Sequence, residues 1–294
     1  MKNLLHLSLL LIFCALANRS MSQVKPDSSN LIRVETLDGN DYLGVLLAED
    51  SLKVEIETAI LGKIVIPRTS IKVMSPVRPS DIKAGQLWAE NTQATRYFWS
   101  PNGYGLKKGE GYYQNIWVFW NQASVGVTDY FSIGAGIIPL FLFGGASSPV
   151  WLVPKFSIPV VKDKFNLGVG ALTAVVLGEE NIGFGLVYGL GTVGNRNNNL
   201  TLGLGYGYAS GEWASTPVIT LSGMARVGPK GYLVTENFYI GVADDYMLLI
   251  MLGGRTVTKK VGIDYGLVIP RTSEMDGFIG FPWLGLTIPF GKKY

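Results

Sequence analysis

Histidine and cysteine, on which many catalytic and metal sites depend, occur once each in this chain, as His6 and Cys14. Both lie in the first 22 residues, which have the features of a secretory signal. That stretch starts with a positive charge, continues with an apolar core from Leu4 to Ala17, and ends with small residues before a cleavage point after residue 22. We therefore predict that residues 1–22 are a signal peptide, and that its removal leaves no imidazole or thiol.

The loss of these two side chains removes whole classes of chemistry. Ser-His-Asp and Cys-His catalysis, zinc sites of the usual nitrogen and sulfur kind, disulfides and haem ligation by histidine all require them. Carboxylate chemistry, as in a glycosidase pair or a calcium site, stays formally open. We predict that the chain is not an enzyme, has no catalytic residues, and uses no metal or other cofactor.

Residues 164–294 repeat one pattern, in which large apolar side chains alternate with glycine, small polar residues or single charges. Leu200 and Leu202 share one strand face, for example, whereas Thr201 and Gly203 share the other. A soluble sandwich would pack its apolar face against a second sheet, and a face made mostly of glycine neither solvates a surface nor fills a core. The pattern favours a transmembrane antiparallel β-barrel, with the apolar face toward lipid and the small face toward a lumen.

This pattern divides residues 94–294 into about twelve strands, with ten as the alternative because the first strand is short. Both termini and the shorter turns are expected on the periplasmic side, and residues 100–109 are predicted to form an outer loop. The predicted strands are 94–99, 110–122, 130–140, 149–160, 164–176, 181–191, 199–209, 215–226, 231–241, 244–254, 260–270 and 278–290.

Among the charged residues of these strands, four are candidates for the lumen: Lys155, Arg226, Glu236 and Asp264. A charge that faces lipid at the middle of a bilayer costs about 2–4 kcal/mol, so we expect all four to face the lumen. Alternation places Glu236 on the same strand face as apolar neighbours, so only the cost of a charge in lipid argues that its side chain points inward. Two interpretations remain open: a gate or selectivity filter at a charged constriction, or an internal network that satisfies buried charges.

Glycines on three neighbouring predicted strands give a second prediction about the lumen. Alternation places them on one contiguous inner wall, which either leaves space for a solute or is filled by bulky groups from the opposite side. These glycines are Gly168, Gly170, Gly183, Gly185, Gly189, Gly191, Gly203, Gly205 and Gly207.

Residues 31–76 form a distinct unit ahead of the barrel. Five short strands, separated by turns such as Asp38-Gly39, predict a small SH3-like β domain. The order of its strands and turns resembles the Sm-like barrel, whose members bind RNA, which an exported chain does not meet. We interpret this unit as a periplasmic adaptor or plug, or as a structural cap without a ligand. Residues 77–93 are predicted to be a linker.

Residues 94–294 also resemble outer-membrane β-barrel proteins of the Bacteroidota type. The resemblance implies an outer-membrane location and a barrel fold, and it carries no assigned activity. The stretches that carry it are Thr95–Phe98, Gly105–Asn115, Gly126–Gly134 and the ending Leu284–Phe290.

The final strand indicates a partner. Leu284, Leu286, Ile288 and Phe290 alternate outward, and the chain ends at the aromatic Tyr294, an ending that barrel-assembly machinery reads in such proteins. We therefore predict two partners, this machinery and the lipid bilayer of the outer membrane. A periplasmic protein or the cell wall is the further partner that an adaptor domain would bind.

Charge and location complete the prediction from sequence. The chain has 25 basic and 22 acidic residues without a basic stripe, so no nucleic-acid partner is indicated. We predict an outer-membrane protein with residues 23–93 in the periplasm, acting as a narrow, porin-like channel or transporter for a small solute with a charged internal constriction. The alternative is a structural or adaptor barrel with a closed, salt-bridged lumen.

Overall fold

The computed structural model describes residues 30–77, 81–83, 86–88, 90–179, 183–242, 245–258, 260–275 and 277–291. The predictions on the signal peptide, His6, Cys14 and Tyr294 fall outside these ranges. The chain forms two compact units, one ending at Leu87 and the other beginning at Trp88. Within the described ranges, no helix has the length and apolarity needed to cross a bilayer.

The first unit contains a five-stranded antiparallel sheet, which confirms the five predicted strands. The order of strands across the sheet is β4-β3-β2-β1-β5. Val34, Val54 and Ile56 point to one side and are fully buried, so alternation along β1 and β3 builds the core of this unit. The strands are β1 (Leu31–Thr36), β2 (Asp41–Glu49), β3 (Lys53–Thr58), β4 (Gly62–Pro67) and β5 (Ile71–Pro76), followed by a short hairpin of β6 (Ile82–Lys83) and β7 (Gln86–Leu87).

The second unit is an antiparallel β-barrel of twelve strands, closed because its last strand, β20, pairs with its first, β8. A two-residue strand, β15, adds only to the end of β14, and a short helix, α1 (Pro139–Phe143), follows β10. The strands are β8 (Glu110–Ile116), β9 (Trp120–Gly126), β10 (Phe131–Ile137), β11 (Ser148–Val161), β12 (Phe165–Leu177), β13 (Gly183–Gly194), β14 (Asn199–Ala209), β15 (Glu212–Trp213), β16 (Val218–Arg226), β17 (Gly231–Val242), β18 (Asp245–Val257), β19 (Gly262–Thr272) and β20 (Phe281–Gly291).

The predicted number of barrel strands is confirmed, but three of the predicted elements are wrong. Residues 94–99 are not a strand, and residues 100–109 are not an outer loop, because residues 94–106 belong to a segment inside the barrel. Residues 110–122 contain parts of two strands, β8 and β9, joined by a turn. In that turn Trp117 and Val118 have φ values of 50° and 73°, a region that bulky and β-branched residues rarely adopt.

The alternation of strand directions gives the barrel two distinct ends. The start of β8, the end of β20 and the turns 127–130, 162–164, 195–198 and 227–230 lie at one end, which we call the terminal end. The turn between β8 and β9, helix α1 and the hairpin of β15 lie at the other, which we call the far end.

The glycines of β13 face the opposite way from the prediction. Gly168 on β12 and Gly203 on β14 face the lumen as expected, and both are paired with Leu190, which is also inside. Strand β13 therefore turns its large residues inward, and the predicted contiguous glycine wall is wrong. The β13 residues that face outward instead are Gly183, Gly185, Gly189 and Gly191.

Packing across the strands explains this inversion. A Cβ atom added to Gly168 would lie 2.7 Å from the Leu190 side chain, and one added to Gly170 would lie 2.6 Å from the ring of Tyr188. The large residues of β13 thus occupy the space that the glycines of its neighbours leave free. Strand alternation alone is symmetric between the two faces, so only these cross-strand contacts identify the inner one.

Candidate functional site

The terminal half of the lumen is filled by residues 91–106, which we call the inner segment. Its central side chains are almost completely removed from solvent, with Tyr97, Phe98 and Asn102 at 0% exposure. The segment turns back on itself, since the Tyr97 amide donates to the Ser100 carbonyl and Asn102 Nδ2 donates to the Ala94 carbonyl, both at 2.9 Å. Residues 97–100 form the tip of this turn.

Asp264 binds two arginines inside the barrel. Its carboxylate lies 2.5 Å from Arg255 Nε and 3.0 Å from Arg96 Nη1, and all three side chains are at most 2% exposed. Arg255 extends from β18, whereas Arg96 belongs to the inner segment. Such a buried group is stable only because each charge is paired and hydrogen-bonded, so Asp264 ties the inner segment to the wall.

The two arginines also satisfy the backbone of the inner segment. Arg255 Nη1 donates to the carbonyls of Gln93 at 3.0 Å and of Arg96 at 3.1 Å. Arg96 Nη1 donates to the carbonyls of Tyr97 and Phe98 at 2.7 and 2.9 Å. A loop buried in a lumen has few other partners for its carbonyls, and the guanidinium groups supply them.

Glu236 holds the tip of the inner segment. Its two carboxylate oxygens accept hydrogen bonds from the backbone amides of Trp99 and Ser100, each at 2.9 Å. The side chain extends inward from β17 and is fully buried, as the cost of a lipid-facing charge required. Charge-assisted bonds of this kind are stronger than neutral ones, so Glu236 fixes the position of the tip.

Lys155 faces the lumen from β11 and is 6% exposed. Its Nζ donates to the Tyr104 carbonyl at 2.6 Å. None of the ion pairs among the described residues includes Lys155, and the charged group that acts on it is Arg196, a second cation. Lys155 is therefore a buried cation whose charge is not neutralised by a neighbouring carboxylate.

Arg226 lies apart from the other three predicted residues. It sits at the end of β16, where its guanidinium carbon lies 5.0 Å from the ring centre of Trp88 and 5.3 Å from that of Tyr232. Its Nε donates to the Gly228 carbonyl at 3.1 Å. The four charges do not bind one another: three of them hold the inner segment, and Arg226 is placed at the terminal rim.

Two residues of the site, Arg96 and Arg255, were missed by the sequence analysis. Arg96 was assigned to a strand at 94–99, and Arg255 to the turn after a strand ending at 254. The signal for Arg255 was present, because alternation from Met251 through Gly253 continues inward to position 255. No local pattern marks Arg96, whose partners Asp264 and Thr287 are distant in sequence.

Beyond the tip, toward the far end, the lumen contains a cavity with a volume of about 90 Å³, which we call the far cavity. The tip residues Trp99 and Pro101 form its floor, and apolar side chains such as Leu172, Leu186 and Phe238 form its walls. This volume is several times the space that one water molecule requires. The far half of the lumen therefore offers an apolar space for a small molecule.

A second cavity, with a volume of about 50 Å³, lies beside the tip, and we call it the lysine cavity. Lys155 and Arg96 line it together with the hydroxyl residues Ser124 and Ser132. The two cavities share Trp99, Pro101, Gln122, Val153 and Tyr188 as lining residues. A polar, cationic space thus adjoins an apolar one.

Some polar atoms around these cavities have no hydrogen-bond partner among the described residues. They include Tyr188 Oη, Ser100 Oγ and Arg96 Nε. Buried polar groups are normally satisfied, and an unsatisfied donor lining a cavity is free to bind a molecule that enters it.

Comparison with protein-family models, curated proteins and solved structures finds no match for this chain. The site must therefore be interpreted from its own geometry. Its parts can close a lumen, hold charges and bind a small molecule. A nucleophile paired with a base is not among the contacts that the structure describes.

Proposed function

We propose that the chain is an outer-membrane β-barrel that binds a small solute in its lumen and passes it across the membrane when the inner segment moves. The observation that carries this proposal is the division of the lumen into a closed half and an open half. The inner segment fills the terminal half except for the lysine cavity beside it, whereas the far half contains the far cavity.

The apolar outer surface of the barrel supports the proposal that lipid surrounds it. Large apolar side chains cover it on successive strands, with Leu202 at 61%, Leu233 at 59% and Leu284 at 57% exposure. Contiguous apolar surface of this extent is unfavourable in water and matches the lipid-facing band of a membrane barrel. The predicted outer-membrane location therefore belongs to this proposal, with the periplasmic part, predicted as residues 23–93, shortened to 23–90 because residues 91–93 lie in the lumen.

The inner segment supports a gated channel rather than an open pore. A solute cannot pass the terminal half while Tyr97 and Phe98 occupy it at 0% exposure. The contacts that hold the tip are noncovalent, and the hydrogen bonds to Glu236 are of a kind that water can replace. Displacement of the tip would join the far cavity to the terminal end.

An engineered crosslink tests this mechanism. A Cβ atom added to Gly105 in the inner segment would lie 2.9 Å from Ser157 Cβ on β11, so Gly105→Cys with Ser157→Cys forms a disulfide after a small adjustment. The only native cysteine is Cys14, within the predicted signal. The measurement is potassium chloride conductance of the refolded barrel in planar bilayers, with the crosslink oxidised and then reduced.

We expect the wild type to open intermittently, the oxidised pair to stay closed, and reduction to restore the openings. The single variant Gly105→Cys controls for the effect of the substitution itself. Equal conductance of the oxidised and reduced pair would show that ions do not pass by movement of the inner segment. A wild type that never conducts would contradict transport altogether.

The membrane location has its own test. A closed barrel in the outer membrane migrates differently on gels before and after heating, and it fractionates with outer membranes. Recovery of the mature chain in the soluble periplasm, without a heat-dependent shift, would exclude the location proposed for it.

A structural or adaptor barrel is the second candidate, and the buried group of Arg96, Asp264 and Arg255 favours it. The ion pairs of this group hold the inner segment in the terminal half. A purely structural barrel with a closed lumen also requires such contacts. The five-stranded unit ahead of the barrel would then bind a periplasmic protein or the cell wall. A barrel without conductance, but with this unit retained on cell-wall fragments, is the result that this candidate predicts.

A further inference from the structure

We infer that the lumen binds an amphipathic anion, a carboxylate with a short hydrocarbon body, with its head at Lys155 and its body in the far cavity. The inference rests on the proposed function, because it takes the lumen as the place where the solute binds. It adds the chemical class of that solute, which the proposed function leaves open.

The balance of buried charge points to an anion. The buried charged side chains of the described barrel unit are three cations, Arg96, Lys155 and Arg255, and two carboxylates, Glu236 and Asp264. Asp264 is shared by the two arginines, and Glu236 is held by backbone amides. With each of these groups in its ordinary charge state, one positive charge is in excess, and an uncompensated buried charge is costly.

The hydrogen bonds of Lys155 place that excess at the lysine cavity. An ammonium group has three donors, and the described contact of Nζ is with the Tyr104 carbonyl. The side chains of the lysine cavity supply hydroxyl and amide groups, with no carboxylate among its lining residues. An incoming carboxylate would gain both a charge partner and hydrogen-bond donors there.

Two further donors adjoin this position. Arg96 Nε and Tyr188 Oη have no partner among the described residues, and both residues line the lysine cavity. A carboxylate accepts several hydrogen bonds, and bonds to ionised groups are the stronger ones. Lys155, Arg96 and Tyr188 together form the proposed head site.

The far cavity supplies the site for the hydrocarbon body. It begins where the lysine cavity ends, since Tyr188, Trp99 and Val153 line both. Leu172 and Phe238 continue the apolar wall toward the far end. An inorganic anion would leave this apolar space unused, and a cationic amphiphile would meet the excess positive charge.

Calorimetric titration of the mature barrel in lipid nanodiscs tests this inference. Octanoate, octanol and octylammonium share a body and differ in the head, so their comparison isolates the charge. We expect octanoate to bind about tenfold more tightly than octanol, a difference of about 1.4 kcal/mol, because hydrogen bonds between charged groups are stronger than neutral ones. Empty nanodiscs give the background of partition into lipid.

Three variants assign the two parts of the site. Lys155→Met should remove the preference for octanoate over octanol while octanol binding stays unchanged. Leu172→Trp, which fills the far cavity, should weaken octanoate and octanol alike. The matched control is Lys162→Met, which removes an exposed lysine from a turn and should leave both affinities at their wild-type values.

The heat-dependent gel shift shows whether each variant is folded. Lys155→Arg, which keeps the charge, should keep the preference for octanoate over octanol, and it replaces Lys155→Met as the test if that variant does not fold. Equal affinity for octanoate and octanol in the wild type, or an unchanged preference in Lys155→Met, would overturn the inference. Preferential binding of octanoate without conductance would support this binding site and contradict transport. Conductance without a preference for octanoate would support transport and contradict this binding site.

Discussion

The two halves of the lumen are built by the same twelve strands but differ in what occupies them and in how the charged groups of each are held. In the terminal half, Asp264 and Glu236 each have partners from the inner segment at hydrogen-bonding distance. In the far half, the floor and walls surround empty space, and Tyr188 Oη and Ser100 Oγ have no partner among the described residues.

This difference separates groups that maintain the structure from groups that are available for binding. A polar side chain with matched partners stabilises its surroundings, and its removal costs free energy. A polar side chain that faces a cavity without a partner contributes little to folding, so its removal should affect binding instead. Substitutions in the terminal half should therefore lower the stability of the barrel, whereas substitutions of unpartnered groups in the far half should change ligand binding.

The largest effect on folding is expected in the terminal half. Asp264→Ala leaves Arg96 and Arg255 buried without their shared carboxylate, which should lower the free energy of unfolding by about 3–5 kcal/mol. The measurement is the urea concentration at which the heat-dependent gel shift is lost. Glu212→Ala, which removes an exposed carboxylate on β15, should leave that midpoint unchanged.

A midpoint for Asp264→Ala equal to that of Glu212→Ala would show that water solvates the two arginines and that the terminal half is not dry. The conductance of Asp264→Ala then shows whether Asp264 closes a gate. An unchanged midpoint together with raised conductance would identify Asp264 as part of a gate, as one of the two interpretations of the sequence holds.

The wall of the barrel offers the next comparison, between two glycines on opposite faces. A Cβ atom on Gly170 would lie 2.6 Å from the Tyr188 ring and 2.8 Å from the Pro154 carbonyl oxygen, so Gly170→Ala should destabilise the barrel by about 1–3 kcal/mol. Gly189 has no atom within 4 Å of that position, so Gly189→Ala should be neutral or stabilise by up to about 1 kcal/mol.

Both glycine variants are measured by the same urea midpoint. If Gly189→Ala proved to be the more harmful of the two, β13 would present its glycines to the lumen after all, and the inner walls assigned here would be reversed.

The smallest effect is expected from two tyrosines that lose only a hydroxyl group. Tyr97 Oη donates to Asn199 Oδ1 at 2.7 Å, so Tyr97→Phe should cost about 1 kcal/mol. Tyr188 Oη has no such partner among the described residues, so Tyr188→Phe should not change the urea midpoint. A comparable loss in both would show that the polar groups of the far half are satisfied as well.

Periodicity was sufficient for most of the barrel, because large apolar residues alternate with small or polar ones along most of its strands. The inward positions of Lys155, Glu236 and Asp264 were predicted from the cost that a charge would have in lipid. The direction of β13 did not follow, because an alternation of glycine with large residues has the same period on either face. Only pairing of Leu190 with Gly168 and Gly203 resolves it.

Tertiary contacts limited the prediction elsewhere. The turn at Trp117 and Val118 has no glycine, asparagine or proline to mark it, although both residues have positive φ. The inner segment reads locally as a short strand, and its placement depends on Arg96 meeting Asp264, 168 positions away. Contacts of that separation leave no local pattern in a single sequence.

The inner segment also constrains the order in which the barrel is completed. It immediately precedes β8, and its contacts reach both sides of the junction where β8 meets β20: Gln114 donates to the Phe98 carbonyl at 2.8 Å, and Arg96 donates to Thr287. A finished cylinder would have to admit a folded turn with a buried guanidinium through its open end. We therefore expect the segment to be in place when β8 and β20 pair, so that it acts as a template around which the cylinder closes.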